Sequence, residues 1–166
     1  AVTGASDVDG SLTISTGTYD ADGSFDATSG IIDFTDAGSL QLASTVASLG
    51  NLDDAAGTIV YDGADQTILS DTYFNLELGG TGTAAAAGNI ICNGTFTLQN
   101  SLDKYNLSSH THQTLGASDI NDEIEMSTGI YDADNSFDAT GGTIDFTGAG
   151  VLRLVGSVTS LGNLDD

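Results

Sequence analysis

The 166-residue sequence has no proline and no tryptophan, one cysteine, one methionine, and two basic side chains, Lys104 and Arg153. Each shortage excludes something. A single cysteine, Cys92, leaves no internal disulfide framework, and its strand-like setting, Ile90-Ile91-Cys92, reads as a buried small hydrophobe. Two cations against 24 acidic residues give a formal net charge of −22. Phosphate backbones are repelled by such a surface, which argues against nucleic acid as a partner, and anionic membranes are disfavoured for the same reason. No apolar run approaches the roughly 20 residues of a membrane-spanning helix. Good helix formers such as Lys, Arg, Glu, Met and Gln are scarce. A chain this acidic is expected to bind cations, or to work in salt that screens its self-repulsion.

What is abundant is a repeat. Residues 1–54 return as 113–166, at an offset of 112, with 33 identical positions out of 54 and no insertion. Tyr19-Asp20-Ala21-Asp22-Gly23-Ser24-Phe25-Asp26-Ala27-Thr28 comes back as Tyr131-Asp132-Ala133-Asp134-Asn135-Ser136-Phe137-Asp138-Ala139-Thr140. Between the copies, and inside them, apolar residues alternate with polar ones over short runs: Leu12/Ile14, Ile32/Phe34, Leu40/Leu42, Ile59/Tyr61, Leu76/Leu78 and Phe96/Leu98. Period two is the signature of strands with one face inward. Clusters of Gly, Asp, Asn and Ser punctuate them as turns. The copies agree on the faces. Ser11, Thr13, Ser39, Gln41 and Ala43 become Glu123, Glu125, Val151, Arg153 and Val155, whereas the interleaved Leu12, Ile14, Leu40 and Leu42 stay apolar. Buried volume is constrained and surface is not.

The expected fold is therefore all-β, a β-solenoid in which each coil buries its inner face only by stacking on its neighbours. Tandem antiparallel β-sandwiches are the alternative. The stop of the second copy after 54 of 112 positions favours the solenoid, since half a sandwich leaves an open core. The chain divides into a first unit, 1–112, and a partial second unit, 113–166, within one continuous β-rich domain. Residues 99–112 carry the only Lys and both His, and read as an irregular joint with His110 and His112 in an exposed loop. Ala84–Ala87 reads as a tight corner of small residues.

Thr143-Ile144-Asp145-Phe146-Thr147-Gly148-Ala149-Gly150, Gly57-Thr58-Ile59-Val60-Tyr61 and Tyr73-Phe74-Asn75-Leu76-Glu77-Leu78 resemble the repeat regions of bacterial secreted and surface adhesin-like proteins. The resemblance covers most of residues 10–100 and 124–166, and implies an extracellular or cell-surface repeat protein without catalytic residues. Ala1 fits either the residue left after removal of an export signal or an internal boundary.

Candidate sites are few. Asp20, Asp22 and Asp26, with their copies Asp132, Asp134 and Asp138, resemble short calcium loops, because alternate carboxylates around a Gly or Asn can wrap a hard cation. The competing reading is an acidic turn whose side chains cap backbone amides. Asn93 and Asn106 fit the N-glycosylation sequon. No nucleophile elbow, phosphate-binding loop or zinc-protease motif is present, so no enzyme is expected. The expected function is a structural protein of an extracellular filament, the C-terminal end of one subunit stacking on the N-terminal end of the next. The alternative is a calcium-dependent surface module that adheres to carbohydrate.

Overall fold

A computed structural model describes residues 1–53 and 55–165, and every strand pairing in it is parallel. The alternating runs become 25 short strands in rungs of three. The first rung is β1 (Ser6–Asp7), β2 (Ser11–Ile14) and β3 (Thr18–Ala21), and the second β4 (Phe25–Asp26), β5 (Ile31–Phe34) and β6 (Ser39–Leu42). The third is β7 (Val46–Ser48), β8 (Asn51–Leu52) and β9 (Thr58–Tyr61), and the fourth β10 (Ala64–Ile68), β11 (Thr72–Tyr73) and β12 (Asn75–Leu78). There follow β13 (Thr81–Ala86), β14 (Ile90–Cys92) and β15 (Phe96–Leu98), then β16 (Lys104–Ser108), β17 (Thr111–Thr114) and β18 (Ser118–Ile120). The seventh rung is β19 (Glu123–Met126), β20 (Ile130–Ala133) and β21 (Phe137–Asp138). The eighth is β22 (Thr143–Phe146), β23 (Val151–Leu154) and β24 (Val158–Ser160), and β25 (Asn163–Asp165) lies beyond it. The chain is a β-solenoid of about eight turns, and the antiparallel sandwich does not occur.

Strands pair with the strand three places on, except β7 with β10 and β8 with β11, so the solenoid has three sides. Side 3 is one unbroken sheet from β3 to β24. Side 1 (β1, β4, β7, then β10 to β25 by threes) breaks between β7 and β10, and side 2 breaks between β8 and β11. Rungs stack in register, like over like. On side 3 the inward column runs Tyr19, Leu40, Ile59, Leu76, Phe96, Ser118, Phe137 and Val158. The neighbouring column is Ala21, Leu42, Tyr61, Leu78, Leu98 and Ile120. Burying such columns is what each rung gains from the next. At one turn the copies agree in backbone as well as sequence. Gly50 and Gly162 both have positive φ, +63° and +65°. At each a Cβ would collide with two carbonyls of the rung below, those of Ala27 and Gly30, or of Ala139 and Gly142. Only glycine fits that approach.

Two expectations are corrected. Residues 99–112 are not an irregular joint: they carry β16 and the start of β17, and Tyr105, Leu107 and His112 are fully buried. Ala84–Ala86 are not a corner but part of the six-residue β13, where Ala84 lies opposite Tyr105 and leaves room for its ring. The core around His112 is aromatic. Its ring stacks on Tyr131 at 5.1 Å and lies 4.3 Å from Phe96, and its Nδ1 is 3.0 Å from the Tyr105 hydroxyl. Nε2 has no hydrogen-bond partner among the described residues. Burial holds the imidazole neutral, its pKa lowered to about 3.

That burial makes stability acid-sensitive. The unfolded imidazole takes up a proton below about pH 6.5 and the folded one does not, so stability is lost as pH falls from about 6.5 towards 3. The term is worth up to about 5 kcal/mol at the acid end. Urea midpoints measured between pH 7 and 4 for the wild type and for His112→Gln are expected to converge as pH falls. Parallel curves would show that His112 is not the titrating group.

Candidate functional site: the acidic ladders, the seam and the open rung

The six aspartates expected to form calcium loops are spread over different sides. Asp20 and Asp132 lie on β3 and β20, Asp22 and Asp134 at the turns that follow, and Asp26 and Asp138 on β4 and β21. Asp26 and Asp138 cap their own turns. Asp26 Oδ1 accepts from the Thr28 amide and hydroxyl at 2.9 and 2.6 Å, and Asp138 Oδ1 accepts from those of Thr140 at 3.0 and 2.5 Å. These bonds hold the Asp26 carboxyl below its ordinary range. Asp132 accepts from Arg153 Nη1 at 2.8 Å, and Asp134 from Gln113 Nε2 at 2.7 Å. Asp20 and Asp22 lie near a third acid of another rung. Their charges, with that of Glu77, add to burial in raising the carboxyl of Asp62, two rungs on. Asn106 donates to Glu125 Oε1 and accepts from the Ser108 amide, and Asn93 is half-buried at the end of β14.

The one group of three carboxylates among the described residues that could share a cation is Glu123, Glu125 and Asp145. Glu125 faces Asp145 across β19 and β22, and Glu123 stands two residues before Glu125. Lys104, one rung below, bonds Glu125. Burial raises the Glu123 carboxyl, and Asp145 raises it further, with Lys104 opposing. The copies of these residues in the first unit are Ser11, Thr13 and Asp33, joined by hydroxyl hydrogen bonds. So this concentration of charge arose by drift at outward positions and could not be read from the repeated motif.

The second feature is the seam. Where β7 should pair with β10 the ladder is absent, and a cleft of about 270 Å³ opens between Ala43–Val46 and Ala64–Thr67. Gln66, almost fully buried, bridges it. Its Nε2 donates to the carbonyls of Leu42 at 2.7 Å and Ser44 at 3.0 Å, and its Oε1 accepts from the Gly63 amide at 2.7 Å. One side chain thus replaces missing backbone partners, which buried peptide groups require. Side 1 changes there from strands of two or three residues up to β7 to strands of five or six in β10 and β13, and side 2 breaks at the same level between β8 and β11, of two residues each.

The third feature is the last rung. Val151, Val155, Val158, Leu161 and Leu164 are all exposed. Val158 and Leu161 are 44% and 40% exposed, whereas their copies Val46 and Leu49, covered by the fourth rung, are 8% and 2% exposed. At the other end Val2 is exposed, and it bridges to Ala21 beneath side 3.

Two substitutions test these assignments. Gln66→Leu strands three backbone groups and is expected to cost about 2–4 kcal/mol in urea unfolding, whereas substitution of the exposed Thr67 by Ala should cost less than about 0.5 kcal/mol. Glu123→Gln removes a carboxylate whose ionised form the fold disfavours, so it should raise the melting temperature at pH 7. The gain should vanish near pH 4, where the group is protonated in both states, and shrink in high salt. A gain independent of pH would mean that charge is not its cause. No protein-family model, curated protein or solved structure matches this chain, so its function is read from these features.

Proposed function

We propose that this chain is a structural part of an extracellular filament or cell-surface fibre that assembles by end-to-end stacking of like units. The observation that carries the reading is the parallel stack itself, in which each rung buries its inward apolar column only against the rungs beside it. All eleven aromatic rings are buried or half-buried, among them Phe25 and Phe34 in the core and Tyr19 and Phe74 at its margin. Rings used as core fit a structural role, and leave no exposed aromatic platform for a sugar. The second reading, a calcium-dependent adhesion module, has the Glu123, Glu125 and Asp145 group in its favour.

Assembly against a charge of −22 per chain needs screening, so filament length should rise with ionic strength. Electron microscopy at tens of micromolar protein in 0.5 M salt should show fibres for the wild type and none for Val158→Asp/Leu161→Asp. Monomers alone at every salt concentration would defeat the filament reading. Fibres equally abundant in EDTA and in millimolar calcium would separate assembly from the calcium-dependent alternative.

A further inference from the structure

Several irregularities of the fold fall at one place. Between the third and fourth rungs the ladder is broken on sides 1 and 2, and only side 3 runs through. On side 1 the break opens the cleft of about 270 Å³ between residues 43–46 and 64–67. Beside it the pairing of β10 with β13 slips by one residue, so that Gly82 and Thr83 together stand opposite Asp65. Asp65 has φ +47°, in the left-handed region, and Ser108 is the other non-glycine residue there among those described. Bulges re-aim side chains, and strained residues of this kind concentrate at binding sites.

The re-aimed carboxylate is held in place. Asp65 Oδ1 accepts from the Thr83 amide at 2.9 Å. A Cβ at Gly82 would lie 2.4 Å from that same oxygen, so the glycine makes room for the carboxylate. Asp65 lines the cleft and is exposed, and its Oδ2 has no hydrogen-bond partner among the described residues. Gln66 forms the buried side of the cleft. Its amide is tied at both ends, to the Leu42 and Ser44 carbonyls and to the Gly63 amide, which keeps the cleft preformed. The hydroxyls of Ser44, Thr45 and Thr67 also line it, and they too have no partner among the described residues.

The chemistry of the lining selects an occupant. Its one charged side chain is a carboxylate, and a chain of net charge −22 repels anions. No aromatic ring lines the cleft for a sugar to stack on. A bare calcium ion takes about six to eight oxygens, and a single carboxylate is a poor start towards that number. An organic ammonium ion fits better. Its N–H groups donate to the carboxylate, as charge-assisted bonds, and to the hydroxyls. Its carbon chain lies against Val46 and Ala64. The volume is below the roughly 300–1,000 Å³ of pockets for drug-sized ligands, so the chain is a few carbons long.

We infer that the seam is a binding cleft for a small alkylammonium ion, with Asp65 as its counter-ion and the hydroxyls of Ser44, Thr45 and Thr67 as further acceptors. The cleft is internal to the chain and stands independently of the filament reading.

Butylammonium is the probe and butanol its uncharged counterpart. Each is titrated into isotope-labelled protein and followed by amide resonances, in about 0.15 M salt to screen diffuse attraction to the acidic surface. Butylammonium should shift the resonances of residues 43–46 and 64–67 saturably, with a Kd on the order of a millimolar for so small a ligand. Butanol should leave them in place. Asp65→Asn keeps an oxygen for the Thr83 amide and suits a left-handed backbone, and it should weaken binding about tenfold or more. Asp9→Asn, in an exposed turn of the first rung, removes the same charge and should leave the Kd unchanged. Shifts spread over the acidic faces, or equal weakening by the two variants, would reduce the effect to diffuse charge attraction and overturn the site. An equal response to butanol would overturn it as well, and the comparison of the two probes on the wild type decides even if Asp65→Asn fails to fold.

Discussion

The structure depends on the parallel backbone ladder between rungs. A strand of two to four residues cannot hold its conformation or satisfy its peptide groups alone, and here most strands are that short. Each rung lends the next its carbonyls and amides and the lining of its inward column. The interior is a stack of columns in which rings face small residues one rung away, as Tyr105 faces Ala84, or stack on one another, as His112 does on Tyr131. A vacancy anywhere in the ladder must be filled by something else. Gln66 fills one inside the chain.

The ladder also explains how a chain with 24 carboxylates folds. In-register stacking brings outward side chains of successive rungs within about 5 Å of each other, where like charges repel. Several acids have a cation or an amide beside them instead. Arg153 sits on Asp132, Lys104 on Glu125, Gln113 beside Asp134 and Gln99 beside Glu77. Both basic residues are spent in this way. Where burial and neighbouring acids outweigh such partners, at Glu123 near Asp145 and at Asp62 near Asp20, Asp22 and Glu77, proton affinity rises. The acidic surface is tolerated by spacing and by amides more than by ion pairs, which is why screening by salt matters to anything that stacks upon it.

Much of this could be read from the residues. Period-two alternation gave the strands, the repeat gave the stacking, and the change of Ser11, Thr13 and Gln41 to Glu123, Glu125 and Arg153 marks the outward face. The polar segment 99–112 misled, because Lys104, Asn106, His110 and His112 look like loop chemistry. Yet Tyr105, Leu107 and His112 face inward, and a buried imidazole costs little while it stays neutral. The aspartate motif was legible as residues and not as geometry: Asp20, Asp22 and Asp26 are close in sequence, and the solenoid turns a corner between β3 and β4. Asp26 and Asp138 bond Thr28 and Thr140 two residues on, whereas the partners of Asp132 and Asp134 come from rungs about 20 positions away, and only the register reveals those.

The placing of the two copies around the axis was also legible, though in a count and not in a motif. A unit of 112 residues with about 20 residues between stacked equivalents is not a whole number of turns. It carries β1–β8 onto β18–β25, an advance of 17 strands, so the short strands β1, β4 and β7 lie on side 1 and their copies β18, β21 and β24 on side 3. Side 3 takes up the exchange within one unbroken sheet, whereas sides 1 and 2 both break between the third and fourth rungs, and on side 1 Gln66 bridges the gap.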